Sequence, residues 1–552
     1  MIAQQVKQAT WNQVRRFLGA PGLNEPEFAE EGMEDEIAGI SMKSKNIRIN
    51  ERNLERRIGS DLLRPVEGHE VEHYRLCPYS LRNYVRLVAH ADSVLGSIED
   101  AKLVENLFSD LLCNYDLFRK GERSIAAVYD RLSMGGQPSK SWDFYIETFA
   151  GMIGKRTTRT SLNEKQRDDA KKLSDILKDS AYNSKKWPDS IKEFAKAIKE
   201  YLDKESQSNA GGSSGSAAGK GGKGSSAAAS SQPKQGKHQQ NNTPRKAPLI
   251  DSHDVKDFLP YSPDKATPDQ QKKFFQKELS GLGNELGQDQ YKRVLAGLGI
   301  GTDRQTTIWF YRDLVKSYAL KMPDVTSRSG DRFKETPVRC ELERVHEADI
   351  EYSLSQYPFL NPAFLYRWSY AEGISSTFGK DNPDLLIAID SSGSMDNPSE
   401  SLSYALLSAM IAKKTALDAG CQVGVINFSS RSECVFQDFT YSNESLDDAL
   451  SHYFGGGTEI PGEQMLEAVR GHKRPTHILV ITDTQIANLD AQAGYLADAL
   501  ATCKAGGSIF LSTSPGDETR LLKKIGYDVI PTRSFSDLDD LTIKKSGEIY
   551  AT

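Results

Sequence analysis

Apolar residues recur at intervals of three and four positions through much of residues 1–205. The segments CPYSLRNYVRLVAHADSVLG, DAKLVENLFSDLLCNYDLF and SIKEFAKAIKEYLDK have this spacing, which places the apolar side chains on one face of a helix. The pattern predicts a mostly helical domain. Residues 249–383 also contain amphipathic stretches, of which QTTIWFYRDLVKSYAL is the clearest, but their later part is irregular and rich in proline. We expect a middle domain of helices and irregular segments.

From residue 384 to residue 552 the pattern changes to short apolar runs that alternate with amphipathic stretches. DLLIAID, QVGVINFSS, THILVITDT and SIFLSTS have the length of strands, and the stretches between them, such as SLSYALLSAMIAKKTALDAG, have helical spacing. Such alternation is typical of a mostly parallel sheet with helices on both faces. We therefore predict an α/β domain of Rossmann-like architecture. Ligands of such sheets bind beyond the carboxyl ends of the strands.

Residues 206–248 separate the helical N-terminal domain from the rest of the chain. They are rich in Gly, Ser, Ala and Lys, and they contain no Asp, no Glu and no large aliphatic or aromatic residue. A segment of this composition cannot bury enough apolar surface to offset the entropy lost on ordering. The composition predicts a disordered linker.

Composition limits the classes of partner. The chain has 552 residues, which is too long for one hydrophobic core, and a formal net charge of -6 with 26% charged residues. That balance favours neither nucleic acid nor a membrane surface as a partner. The first twenty residues lack the basic and then apolar order of a signal peptide, and no apolar run approaches the length of a membrane span. Six scattered cysteines fit a reducing compartment. We expect a cytoplasmic protein.

Oxygen-bearing side chains follow two strands of the predicted C-terminal sheet. Asp390, Ser392 and Ser394 come directly after DLLIAID, and Asp483 follows HILVIT. Between them, the glycine-rich FGGGTEI supplies Thr458. Two carboxylates and three hydroxyls form a ligand set that Mg²⁺ prefers, and so small a set leaves a coordination position open for a carboxylate from another molecule. The alternative is a metal-free fold in which the serines cap the first helix.

These segments resemble the von Willebrand factor A (VWA) domain. The order D-x-S-x-S, then Thr in a glycine-rich loop, then Asp after a later strand is similar to the metal-ion-dependent adhesion site (MIDAS) of that family. The resemblance covers residues 384–552. It implies that the five residues bind Mg²⁺ and that the bound ion captures an Asp or Glu of a partner. Glu459 departs from the family pattern, in which Asp is more usual.

A second set of candidate metal ligands lies in GHEVEHY, residues 68–74. His69 and His73 are four residues apart, so on a helix they share a face and are able to bind one Zn²⁺ through their imidazoles. Glu70 would lie beside the metal and act as the general base that takes a proton from zinc-bound water.

Zinc also needs a third protein ligand. VENLFSDLLCN places Asn106, Asp110 and Asn114 in one polar stripe on an otherwise apolar helix, and polar groups in a core need partners. We predict Asp110 as the third ligand and keep Glu105 as the alternative. Cys77 follows His73 by four residues, and we expect it to be a buried small hydrophobe rather than a ligand.

The HExxH motif is similar to that of the zincin metallopeptidases. The resemblance implies a zinc-dependent hydrolase of peptides or proteins. Glu72, which lies between the histidines, and Arg75 depart from the family, in which uncharged residues are usual at these places. The alternative is a solvated helix with two surface histidines, whose charge is balanced by Glu67, Glu70 and Glu72.

Two stretches of the middle region, WFYRDLVKSYALKMP and ELERVHEADIEYSLSQYPFLNPAFLYRW, resemble the segment that precedes the A domain in proteins paired with MoxR-type AAA+ ATPases. The resemblance implies an ATPase partner, and the chain itself has no G-x-x-x-x-G-K-[ST] motif. Two interpretations remain open. One is a VWA protein with an N-terminal zinc metallopeptidase, and the other is a non-catalytic adaptor whose N-terminal domain only binds substrate or the ATPase ring.

Overall fold

The computed structural model describes most of the chain and divides it into two compact units, residues 1–265 and 266–552. The described residues are 2–19, 22–29, 36–134, 139–155, 161–210, 252–260, 266–318, 333–340, 345, 347–356, 365–371, 382–483, 486–511, 516–531 and 538–550. None of the described helices is long and apolar enough to cross a lipid bilayer.

The first unit is mostly helical, as the sequence predicts. Its helices are α1 (Gln4–Leu18), α2 (Glu51–Arg57), α3 (Leu63–Arg75), α4 (Leu81–Leu95), α5 (Ile98–Lys120), α6 (Ile125–Met134), α7 (Lys140–Ile153), α8 (Glu164–Ser180) and α9 (Trp187–Ala210). Helix α9 continues into the first five residues of the predicted linker, and residues 211–248 of that linker lie outside the described residues.

A small sheet, which the sequence analysis did not predict, joins α1 to α2. Its strands β1 (Glu27–Phe28), β2 (Ala38–Ser41) and β3 (Asn46–Ile49) lie in the order β1-β3-β2. Segment 252–260 also belongs to this unit and contains a single 3₁₀ turn, Val255–Phe258. The middle domain predicted from the sequence, residues 249–383, includes this segment, whereas the structure groups it with the N-terminal helices.

Helices α3 and α5 form the centre of the first unit. Eleven of the thirteen residues of α3 are buried, on every side of the helix. Gly68 lets the two helices approach closely, because a Cβ atom at this position would lie 3.1 Å from Cδ1 of Leu117 on α5. A helix buried all round is expected to be apolar, yet α3 carries three glutamates and two histidines into the core. Burying so many ionisable groups requires a reason other than packing.

The second unit contains a six-stranded sheet in the order β11-β10-β9-β6-β7-β8. Its strands are β6 (Asp384–Asp390), β7 (Val423–Phe428), β8 (Cys434–Thr440), β9 (Thr476–Thr482), β10 (Lys504–Leu511) and β11 (Asp528–Pro531). All neighbours are parallel except β7 and β8. The predicted α/β class is therefore confirmed.

Helices cover both faces of this sheet. They are α14 (Tyr404–Asp418), α15 (Asn443–Leu450), α16 (Gly462–Gly471), α17 (Leu489–Cys503), α18 (Asp517–Ile525) and α19 (Leu538–Tyr550). Leu386 and Ile478 pack in one core with residues of α16 and α17. On the opposite face, Leu385 and Leu479 line a small cavity together with Tyr550 of α19. The alternation follows from the pleat, which turns successive side chains to opposite faces.

The segments that precede this sheet form three helices, α10 (Pro268–Glu278), α11 (Gln288–Gly297) and α12 (Asp303–Ser317), and then a short helix, α13 (Ile350–Gln356), beside an antiparallel strand pair. The paired strands are β4 (Phe333–Arg339) and β5 (Tyr366–Ala371). Part of the sequence that resembles the ATPase-associated segment lies outside the described residues.

Candidate metal centres

Three ligand atoms from α3 and α5 converge in the core of the first unit. His69 Nε2 lies 3.0 Å from His73 Nε2, and Asp110 Oδ1 lies 3.5 Å from the first nitrogen and 3.3 Å from the second. All three side chains are fully buried. Zn–N and Zn–O distances of about 2.0–2.1 Å place tetrahedral ligands about 3.3–3.4 Å apart. The triangle therefore has the dimensions of one face of a tetrahedral zinc site.

The outer nitrogen of each imidazole is held by a neighbouring group. His73 Nδ1 lies 2.8 Å from the carbonyl oxygen of Cys77, which only accepts, so Nδ1 carries the proton. His69 Nδ1 lies 2.8 Å from Asn114 Oδ1, and the amide of Asn114 donates to the Tyr129 hydroxyl at 2.6 Å. In the tautomer that carries the proton on Nδ1, the Nε2 lone pair of each ring is directed into the triangle.

Two lone pairs and a carboxylate oxygen at such distances repel one another unless a positive charge lies between them. A metal ion supplies that charge, and a proton shared by the two imidazoles is the other way to supply it. The residues present therefore fit a zinc ion. Asp110 and Asn114 of the polar stripe on α5 both contact the histidines of α3. Tyr129 completes the network by donating to Asp110 Oδ2 at 3.3 Å.

The other residues considered in the sequence analysis have different surroundings. Glu70 is fully buried one residue after the first ligand. Glu105 lies outside the triangle: its Oε1 accepts from Ser109 at 2.7 Å, and its Oε2 lies 3.7 Å from His253 Nδ1. Cys77 is buried, as expected, and burial raises the pKa of its thiol. The alternative of a solvated helix is wrong, because both histidines and all three glutamates of α3 are buried.

Sequence reasoning missed His253. Its ring lies edge-on to the ring of His73, with the centroids 4.4 Å apart and the planes at 78°. Its backbone N–H donates to Asn106 Oδ1 at 3.0 Å. His253 is therefore the hydrogen-bond partner of Asn106, the remaining residue of the polar stripe on α5. No periodic pattern in segment 252–260 indicated that it returns to the N-terminal helices.

The oxygen ligands of the second unit lie at the carboxyl ends of β6 and β9, which are neighbours in the sheet. Asp390 Oδ1 accepts from the backbone N–H of Ser392 at 2.8 Å, and its Oδ2 accepts from the Thr482 hydroxyl at 2.6 Å. The hydroxyls of Ser392 and Ser394 are 3.1 Å apart. One residue after Thr482, Asp483 follows β9 at the same edge.

Asp390 lies close enough to Asp483 to feel its charge. Burial raises the pKa of Asp390, and the nearby charge of Asp483 raises it further. Asp483 Oδ1 is buried and has no hydrogen-bond partner among the residues that the structure describes. A buried carboxylate oxygen without a donor, next to a second carboxylate, fits a bound cation.

The glycine-rich loop brings Thr458 to the same edge. The N–H of Gly393 donates to the carbonyl of Gly456 at 2.8 Å, and the N–H of Gly455 donates to the carbonyl of Ser391 at 2.9 Å. The loops touch so closely that a Cβ atom at Gly393 would lie 2.9 Å from the carbonyl oxygen of Gly455. Thr458 itself is buried. The three segments that carry the predicted ligands therefore meet.

Helices α11 and α12 brace the loop that bears the serines. The amide of Gln288 donates to the carbonyl of Pro398 at 2.6 Å, and the hydroxyl of Tyr311 accepts from the backbone N–H of Ser403 at 2.6 Å. Arg312 and the buried Lys413 both pair with Asp447. The bonds of Gln288 and Tyr311 hold the loop between β6 and α14, and the pairs with Asp447 join α12 and α14 to α15.

Part of the second unit is similar to known proteins. A family model described as the von Willebrand factor type A domain matches residues 385–485. Eighteen chains of solved structures match, among them "von Willebrand factor type A from Catenulispora acidiphila", at 18% identity and a TM-score of 0.23. That match covers 31% of this chain and 43% of the other. No curated protein matches.

Residues 385–485 therefore form a von Willebrand factor type A domain. Domains of this class are generally metal-binding modules of the MIDAS type that mediate contacts between proteins.

Proposed function

We propose that the VWA domain binds Mg²⁺ through Asp390, Ser392, Ser394, Thr458 and Asp483, and that the bound ion captures an Asp or Glu side chain of a partner protein. The observation that carries this proposal is the buried Oδ1 of Asp483 beside Asp390, which has no hydrogen-bond partner within the described part of the chain. When bound, the cation supplies a Lewis-acidic position for an incoming carboxylate. Since only two of the five residues are charged, the ligand set itself leaves room for a third carboxylate.

The proposed partner is an AAA+ ATPase of the MoxR type. The resemblance of the middle region to ATPase-associated proteins supports this class of partner. So does the contact of α11 and α12 with the loop that carries Ser392 and Ser394, because a protein that binds the middle region would also act on the metal site. The ATPase would supply energy from nucleotide hydrolysis, and this chain would act as its adaptor or effector.

The test is Mg²⁺ binding, followed by partner binding. Isothermal titration should detect one Mg²⁺ site that Asp390→Ala abolishes and that Asp438→Ala, an exposed aspartate of the same domain, leaves intact. A MoxR-type ATPase from the same genome should be pulled down in Mg²⁺ buffer by the wild-type protein and by Asp438→Ala. EDTA or Asp390→Ala should abolish the pull-down. Retained binding under both conditions would contradict carboxylate capture.

A second proposed function belongs to the first unit. His69, His73 and Asp110 would hold Zn²⁺, and Glu70 would serve as the general base of a metallopeptidase that acts on peptides or proteins. The convergence of the three ligand atoms supports the metal site. The zinc would polarise the scissile carbonyl, while the Nδ1 hydrogen bonds of His69 and His73 hold the imidazoles in the ligating tautomer.

Elemental analysis tests the zinc, and a protease assay tests the chemistry. We expect about one zinc per chain, lost in His69→Ala and kept in His90→Ala, a partly exposed histidine of the same unit. Glu70→Gln should keep the zinc and lose hydrolysis of a casein substrate. A protein that holds zinc but shows no Glu70-dependent hydrolysis would favour the adaptor, in which the metal is structural.

A further inference from the structure

We infer that segment 252–260 is a built-in cover of the zinc site, which must withdraw before a peptide or a chelator reaches the metal. This inference rests on the zinc site proposed above and concerns its regulation. It begins from the burial of the site: His69, Glu70, His73 and Asp110 are all 0% exposed. A catalytic zinc needs a coordination position that substrate is able to reach, so part of the unit has to move.

Segment 252–260 lies directly against His73, one of the three proposed ligands. The His253 ring contacts His73 edge-on, with centroids 4.4 Å apart, and its Nδ1 lies 3.7 Å from Glu105 on α5. The segment thus fills the space beside the second zinc ligand. Only 2% of the His253 side chain is exposed, so this part of the segment is buried in the first unit.

The cover is held by contacts at separate points. The backbone of His253 donates to Asn106 on α5 at 3.0 Å and accepts from the Tyr84 hydroxyl on α4 at 3.2 Å. The carbonyl of Asp257 accepts from the N–H of Met42 at 2.7 Å. Phe258 is fully buried and stacks on Tyr84, with centroids 5.2 Å apart.

Withdrawal would leave the helices of the unit intact. The ligands belong to α3 and α5, whose own backbone hydrogen bonds do not involve segment 252–260. The segment contains one 3₁₀ turn and is separated from α9 by more than forty residues of chain. Segments with little secondary structure open at a lower free energy than core helices do. Opening of the cover therefore does not require unfolding of the metal site.

The rate of zinc release to a chelator tests the cover. Full-length protein loaded with zinc is mixed with excess 4-(2-pyridylazo)resorcinol, and absorbance reports the released metal. Phe258→Ala removes the apolar anchor and should speed release at least tenfold at unchanged zinc content. Phe436→Ala, at an exposed phenylalanine of the second unit, should release zinc at the wild-type rate.

Tyr84→Phe provides a second variant, because it keeps the ring and removes only the hydroxyl that donates to His253. It should speed release several-fold. If both variants retain one zinc and release it at the wild-type rate, the cover is refuted while the zinc site stands. If wild-type protein takes up no zinc at all, the zinc site is refuted and the cover with it.

Discussion

Zinc binding should stabilise the first unit by an amount that depends on Asp110. The ligand atoms are already 3.0–3.5 Å apart, close to the spacing in a tetrahedral site, so little rearrangement opposes binding. A ligand present at one hundred times its dissociation constant stabilises the folded state by about 2.7 kcal/mol. For a unit of this size, each kcal/mol raises the melting temperature by about 2–4 °C. We expect zinc to raise the melting temperature of the first unit by about 5–10 °C.

Asp110→Asn is the informative perturbation. The amide keeps the shape of the side chain and removes the charge that draws the cation between the two imidazoles. If the dissociation constant rises about a hundredfold, it equals the same zinc concentration. The stabilisation by zinc is then only about 0.4 kcal/mol. The melting temperature would then rise by about 1 °C.

Differential scanning calorimetry with and without zinc measures both shifts. Asp130→Asn is the matched control, because this aspartate is exposed on α6 of the same unit, and it should keep the wild-type shift. The reasoning fails if the wild-type transition does not respond to zinc. It also fails if Asp110→Asn responds as strongly as the wild type does.

Three further changes have predicted outcomes. Gly68→Ala gains about 1 kcal/mol of helix propensity, but its Cβ would lie 3.1 Å from Leu117, and overpacking costs about 1–3 kcal/mol. Denaturant unfolding should show lower stability, and zinc titration weaker binding; a more stable variant would contradict this. Burial raises the pKa of Glu67 to about 8, so wild-type stability should fall as pH rises from about 4.5 to about 8. Without zinc, Glu67→Gln should therefore be more stable than wild type at pH 8, and the difference should vanish below pH 4.5; a difference independent of pH would refute the assignment. Tyr311→Phe leaves the N–H of Ser403 without its acceptor and should cost the second unit about 1–3 kcal/mol while weakening Mg²⁺ binding in calorimetry; unchanged Mg²⁺ affinity would show that the brace does not position the site.

The alternation of apolar runs predicted the C-terminal fold because both faces of β6, β7 and β9 are buried. Most of their residues are therefore apolar, and the polar residues that follow mark the end of the strand in the sequence. Asp390 and Asp483 could be placed at one edge for the same reason, since parallel neighbouring strands end on the same side. The polar stripe on α5 was equally readable, because a core helix does not carry Asn106, Asp110 and Asn114 without partners.

Other features were beyond prediction because their contacts are long-range. Segment 252–260 has no periodic pattern of its own, and its position depends on Met42, Tyr84 and Asn106, which are far away in the sequence. The strands β1, β2 and β3 are two to four residues long, too short for alternation to indicate them. The burial of α3 could not be foreseen either, since three glutamates made it look like a solvated helix.

The brace between α12 and the loop after β6 has a mechanical consequence. The hydroxyl of Tyr311 accepts a hydrogen bond from the backbone N–H of Ser403, and the salt bridge of Arg312 with Asp447 joins the same helix to α15. Helix α12 is thus bonded to the C-terminal end of the loop that also carries Ser392 and Ser394. If the proposed Mg²⁺ site and ATPase partner exist, a displacement of α12 by that partner would shift the hydroxyls of Ser392 and Ser394 and would change the affinity for the ion.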